Sequence, residues 1–277
     1  MIGVFLAAIG TFFDEFAISA GRSEVFNKKE NIYTFGFLNF FWIFILLIIM
    51  AIVKNSFLFD IASIPLMIIF IILEILQVYI SLHATIEADR STCGFLMITT
   101  IPLLLIIDTF LGYKLEINSL IGIFILVIGL IILLLNHGIN KKGIGYVIFM
   151  SINAAVTISI YKYCITHYNS VESQYIITLF FILIFLLVMS FWKYKENPIK
   201  YLFKRKLFFE SFPRGISGVL ISFAYLYAPA SVITSVKRGF SVLWSIISGN
   251  KIFHEKHLVI KIISFVLIIT GLVFMVF

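Results

Sequence analysis

The chain has 277 residues, of which 61% are hydrophobic and 13% are charged. Soluble domains are about half apolar and about one quarter charged, so this chain carries more apolar surface than a water-soluble core could hide. Its apolar runs do not alternate with polar residues as the strands of an outer-membrane barrel do. The composition excludes a soluble globular domain and predicts an all-α polytopic membrane protein.

The predicted elements are ten membrane-spanning helices, with lengths that match a bilayer core of about 30 Å. Their first run has no basic residue ahead of it, unlike a cleaved signal peptide, so we interpret it as a retained helix. Short connections predict antiparallel neighbours, and one long polar link covers residues 193–206. The spans cover residues 2–20, 32–53, 61–82, 91–111, 117–136, 143–163, 173–192, 207–227, 230–253 and 258–277.

The two halves of the chain resemble each other when one is shifted by 142 positions. FILVIGLIILLL at residues 124–135 then falls on VLIITGLVFMVF at residues 266–277, and Gly129 falls on Gly271. Because each half has an odd number of spans, the copies insert in opposite orientations. We therefore predict two inverted five-helix repeats, residues 1–136 and 143–277, with a substrate site near the midplane where they meet.

The net charge of +7 comes mainly from basic residues in short loops. Such residues act first as topology signals, so we expect a lipid bilayer and no nucleic acid as partner. With these spans, 14 Lys and Arg residues are assigned to one side of the membrane and Lys54, Lys114 and Lys162 to the other. The positive-inside rule predicts a multi-pass protein of the cell (cytoplasmic or inner) membrane with both termini outside.

Two segments carry a resemblance to a known family. They are TIPLLLIIDTFLGYKLEINSLIGIFILVIGLIILLL at residues 100–135 and SVLWSIISGNKIFHEKHLVIKIISFVLIITGLVF at residues 241–274. Each combines the end of one span, a polar break, a short link and a Gly-containing span, and the chain thereby resembles the EamA-type drug/metabolite transporter superfamily. The matching residues are Pro102, Gly112, Gly122 and Gly129 in the first copy and Glu255, Lys256 and Gly271 in the second.

The resemblance implies a basket-shaped ten-helix fold with a central cavity. It also implies secondary transport of a small metabolite or export of a toxic compound. The sequence departs from the family in two ways. The Lys and Arg distribution places the termini outside, opposite to the family's usual orientation, and the first span contains FFDEFAISAG where the family has a mostly apolar, Trp-containing helix.

Ionisable residues inside spans usually face the bundle interior and mark a substrate or ion pathway. Lys237 and Arg238 are adjacent, and because a helix turns about 100° per residue they are not expected to point straight into one cavity together. The structural alternative is ion pairing with acids on other spans. The candidate substrate-binding residues are Asp14, Glu15, Glu74, Gln77, Arg90, Arg214, Lys237 and Arg238.

Enzymatic chemistry has little support in the sequence. The run HEKH at residues 254–257 is one residue short of the HExxH pattern that places two histidines over zinc on one helix face. Cys93 and Cys164 support neither a disulfide framework nor a metal site. We expect no enzyme, no cofactor and no metal.

The sequence thus predicts a secondary transporter, a carrier or exporter, of a small polar or charged metabolite that works by alternating access. Proton or cation coupling stays open, as does the choice between monomer and homodimer. One alternative is a flippase of lipid-linked sugars or lipid phosphates with the same architecture. Another is a non-transporting membrane scaffold, which predicts that Lys237, Arg238 and Glu74 are all paired internally and that no open cavity exists.

Overall fold

The computed structural model describes residues 2–26, 31–110, 117–135, 141–227, 230–252, 254 and 257–276. Helix dominates this part of the chain, which contains no β-strand. Three short 3-10 segments, Ile61–Ser63, Met97–Thr99 and Pro198–Tyr201, accompany the α-helices. The α-helices of the described residues are α1 (Ile2–Phe26), α2 (Ile32–Lys54), α3 (Ile64–Glu87), α4 (Arg90–Leu96), α5 (Thr100–Phe110), α6 (Ile117–Leu135), α7 (Ile144–His167), α8 (Val171–Tyr194), α9 (Arg205–Tyr227), α10 (Ala230–Lys251) and α11 (Leu258–Val276).

Each predicted span coincides with helix, and six helical segments are long and apolar enough to cross a bilayer. The chain is therefore an all-α protein with the helices of a multi-pass membrane protein. The remaining spans and the placement of the termini stay predictions, and Lys28, Lys29, Lys114 and Lys256, which contributed to that placement, lie outside the described residues. The six segments are Ile2–Ala20, Ile32–Lys54, Ile61–Glu87, Arg90–Ile107, Ile144–His167 and Val171–Tyr194.

The fourth predicted span is divided into α4 and α5 by the 3-10 segment Met97–Thr99. Pro102 has no backbone N–H to donate to the carbonyl of Ile98, and its ring crowds that carbonyl, so the helix tightens just before it. Asp89 occupies the N-cap position of α4, but its side chain makes no capping hydrogen bond.

The helices pack across the two halves of the chain more than within them. α1 lies against α9 and α10, α2 against α8 and α9, α3 against α7 and α8, and α6 against α11. Glycines allow the closest approach between α2 and α9, because a Cβ added at Gly218 would lie 2.6 Å from Ile43. One added at Gly215 would lie 2.8 Å from the Cβ of Trp42. The interior is thus formed by helices from both halves.

Candidate functional site

A cavity of about 280 Å³ lies in the interior, lined by residues of α1, α2, α3, α4, α7, α8, α9 and α10 and by Met97. It brings together seven of the eight residues predicted to bind substrate. The exception is Glu15, which does not line it. The predicted residues on its wall are Asp14, Glu74, Gln77, Arg90, Arg214, Lys237 and Arg238.

Glu15 lies behind the wall and holds Arg90. The Arg90 guanidinium donates to both carboxylate oxygens of Glu15, through Nε at 3.1 Å and Nη2 at 2.7 Å. The hydroxyls of Ser19 and Ser248 donate to Glu15 Oε1 at 2.9 and 2.6 Å. Both charged side chains are 7% exposed. Glu15 therefore joins α1, α4 and α10, and its oxygens are occupied by protein donors.

Asp14, the neighbour of Glu15 on α1, faces the cavity and forms an ion pair with Arg214 of α9. The two side chains are about one fifth to one quarter exposed, 21% for Asp14 and 25% for Arg214. This pair therefore lies on the cavity surface, where a ligand could contact either charge.

Within the described residues, Lys237 and Arg238 form no ion pair with Asp14 or Glu15, two of the three acids (with Glu74) that the structural alternative offered as partners. Those two acids are paired with Arg214 and Arg90. Arg238 Nη2 makes a long contact of 3.5 Å with Thr100 Oγ1, and its Nε is buried without a hydrogen-bond partner among the described residues. A buried donor left unpaired is costly, so Arg238 is positioned to gain from a ligand acceptor.

Both adjacent cations line the cavity, although the sequence predicts that they do not point straight into it together. Their directions from the helix axis differ by about 100°, but each charge ends a long flexible stem that can bend toward the same polar space. Ser241, one helical turn after Lys237 on α10, belongs to the cavity wall as well.

Glu74, Gln77 and Ser81 follow one another on α3 at intervals of three and four residues, and all three belong to the cavity wall. Gln77 accepts a hydrogen bond from Asn153 Nδ2 at 2.9 Å and donates to Met150 O at 3.3 Å, so it also ties α3 to α7. Glu74 lies on the same wall as Lys237. Glu74 is thus the acid of the described wall that is not held in either of the two arginine ion pairs.

An aromatic wall completes the cavity, and the sequence reasoning missed it. Tyr161 is the central residue of this aromatic wall. The centroid of its ring lies 5.7 Å from that of Tyr175, 6.0 Å from that of Tyr225 and 6.1 Å from that of Phe70. All four residues line the cavity. Tyrosines near the ends of spans are the usual membrane-interface pattern, so their positions in the sequence did not distinguish them.

The chain matches no protein-family model, and no curated protein matches it. The similarity to EamA-type transporters therefore stays a prediction, and three of the residues that carry it, Gly112, Glu255 and Lys256, lie outside the described part of the chain.

Proposed function

We propose that the protein is a carrier that moves a small anionic metabolite across its membrane by alternating access. The observation that carries the proposal is the surplus of positive charge on the cavity wall. The described part of the wall carries four cations, Arg90, Arg214, Lys237 and Arg238, and two acids, Asp14 and Glu74, while Glu15 lies behind it. Once the two ion pairs are formed, Glu74 is the acid that remains on the described wall beside Lys237 and Arg238. A ligand with a negative group would balance them.

The shape and chemistry of the cavity suit a small ligand. Sites for drug-sized molecules have volumes of about 300–1,000 Å³, so a cavity of about 280 Å³ favours a compact metabolite. The Arg238 guanidinium suits a planar carboxylate or a phosphate, because its fork of donors can bind two oxygens at once. The tyrosine rings would cover the apolar part of such a molecule.

The packing of the helices supports two inverted repeats. Under the 142-residue shift, α1 corresponds to α7, α2 to α8, α3 to α9, the α4–α5 span to α10, and α6 to α11. If the halves are related in this way, the contact of α1 with α9 should have an equivalent between α7 and α3. The contact of α2 with α9 should likewise have an equivalent between α8 and α3, and all four contacts occur. The pairs α2–α8, α4–α10 and α6–α11 each join one helix to its own equivalent in the other half, and these pairs also pack together. Such symmetry would allow the two halves to rock about a central site.

The scaffold alternative is less well supported, because it requires paired cations and no open cavity. A cavity is present, and Arg238 has no acidic partner within ion-pair distance in the described part of the chain. The EamA-type resemblance also implies secondary transport. A carrier would account for both the cavity and the lack of an acidic partner for Arg238.

Counterflow in proteoliposomes tests the proposal. Vesicles loaded with single dicarboxylates, phosphorylated sugars, amino acids or polyamines would be diluted into the corresponding labelled compound. We expect wild-type protein to exchange at least one anion, Arg238→Gln to abolish that exchange, and Lys251→Gln, which changes an exposed cation outside the cavity, to retain it. Exchange of the polyamines only, or equal exchange by Arg238→Gln and wild type, would contradict the proposal.

A further inference from the structure

A basic segment, residues 193–206, joins α8 to α9, and none of its residues is among those that line the cavity. It contains six Lys or Arg residues and a single acid, Glu196. Glu196 accepts a hydrogen bond from the Asn31 side chain. Lys195, Lys200 and Arg205 are exposed and, within the described residues, have no acid within ion-pair distance. The segment therefore presents positive charge that the protein itself does not neutralise.

The segment is held in one conformation with two different faces. Pro198 and Leu202 are buried, and Leu202 packs with residues of α2, α3 and α8. Ile199 and Phe203, each one position further along, are exposed by 49% and 84%. Asn197 caps the short helix Pro198–Tyr201 by accepting from the Ile199 N–H at 3.0 Å. Two apolar side chains thus project outward among the unneutralised cations.

At the opposite end of the α2–α8 helix pair, exposed apolar residues occur without a comparable group of cations. α2 and α8 are antiparallel, because Asn31 at the start of α2 contacts Glu196 and Ser56 after its end contacts Glu172 at the start of α8. In the loop after α2, Phe57 and Leu58 are exposed by 51% and 68%. Its nearest cation, Lys54, lies 3.9 Å from Glu172. Exposed apolar residues therefore occur at both ends of the α2–α8 pair, whereas the surplus of positive charge occurs only at the end that carries the basic segment, among the described residues.

We propose that the basic segment is a binding site for the headgroups of anionic phospholipids. Ile199 and Phe203 would enter the boundary between headgroups and acyl chains, as apolar side chains at membrane surfaces do. Lys195, Lys200, Lys204 and Arg205 would contact lipid phosphates around them, and clusters of this size beside a membrane helix attract anionic lipids. The loop after α2 lacks this charge, so anionic lipids bind preferentially at one surface. This inference is independent of transport.

Native mass spectrometry of the detergent-purified full-length protein tests it. The protein would be titrated with phosphatidylglycerol and with phosphatidylcholine of identical acyl chains. The test variant is Lys200→Gln, Lys204→Gln and Arg205→Gln combined, which leaves Lys195 in the left-handed conformation that ends α8. The control variant is Lys141→Gln, Lys142→Gln and Lys251→Gln combined, which removes the same charge from exposed positions outside the segment.

We expect wild type and the control variant to bind phosphatidylglycerol more tightly than phosphatidylcholine, and the test variant to lose about tenfold or more in affinity for phosphatidylglycerol alone. Raising the salt concentration before lipid addition should weaken the preference in wild type. Equal binding of the two lipids by wild type would overturn the proposal. So would an equal loss in the control variant, because binding would then follow net charge and not this segment.

Discussion

Glu15 and Arg90 are joined by two hydrogen bonds, 3.1 and 2.7 Å long, inside a protein whose sequence offers both residues as substrate ligands. The pair links α1 to α4, and Ser248 extends it to α10. Glu15 is thereby withdrawn from the cavity, whereas Arg90 remains on its wall with its charge already balanced. This arrangement divides the polar residues into those that hold helices together and those that a ligand can reach.

Breaking the Glu15–Arg90 pair should destabilise the fold strongly. Glu15→Gln leaves the buried Arg90 guanidinium without its counter-charge, and removing one partner of a buried ion pair costs about 3–5 kcal/mol. Glu15→Gln combined with Arg90→Gln should recover part of that loss, because no unbalanced charge remains. Thermal unfolding in detergent, followed by tryptophan fluorescence, measures both.

The Lys206–Glu210 pair provides the control, since its Lys206 side chain is 60% exposed and the ion-pair distance is 3.8 Å. Exposed pairs contribute about 0–1 kcal/mol, so Lys206→Gln should shift the unfolding temperature little. If Glu15→Gln unfolded at the wild-type temperature, the pair would not be structural.

The polar and charged residues of the site were predictable from the sequence because such groups are costly inside a membrane and have few acceptable locations. Seven of the eight predicted residues line one cavity. Their pairing was not predictable, since Asp14 and Glu15 are neighbours in sequence but face different partners, Arg214 and Arg90. The choice depends on how α1 is rotated against α4 and α9, and that rotation is set by packing.

The helices themselves were largely predictable, because apolar runs between polar breaks allow few alternatives in a bilayer. The division of the fourth predicted span into α4 and α5 was missed, although Pro102 marks its position. The aromatic wall was missed because tyrosines 161, 175 and 225 come from three helices, and no sequence pattern joins them.

Gly218→Ala should destabilise the contact between α2 and α9. The added Cβ would lie 2.6–2.8 Å from three side-chain atoms of Ile43, which is itself 2% exposed. Overpacking of this kind costs about 1–3 kcal/mol, and unfolding temperature is the measurement. Gly145→Ala is the matched control, because a Cβ added there would meet no neighbouring helix within 4 Å among the described residues. Equal effects of the two substitutions would show that close approach of α2 and α9 is not required.

Asn31→Ala should lower stability at one end of the α2–α8 pair. The Asn31 side chain accepts from the backbone N–H groups of Tyr33 and Thr34, both at 2.9 Å, and donates to Glu196. Loss of an N-cap costs about 0.5–2 kcal/mol. Asn31→Asp separates the two roles, since it keeps the capping acceptor but places a negative charge beside Glu196. We expect it to be no more stable than Asn31→Ala, and wild-type stability of Asn31→Asp would assign the effect to capping alone.

The two cysteines should differ in reactivity because one of them lines the cavity. Cys93 belongs to the cavity wall, whereas Cys164 is fully buried and does not line it. In a Cys164→Ser protein, a small hydrophilic methanethiosulfonate reagent should modify Cys93, and a transported anion should slow that reaction. In a Cys93→Ser protein the same reagent should leave Cys164 unmodified until the fold is opened with denaturant. Modification followed by mass spectrometry over time measures both rates. Faster labelling of Cys164 than of Cys93 would contradict the cavity as the route from solvent to the interior.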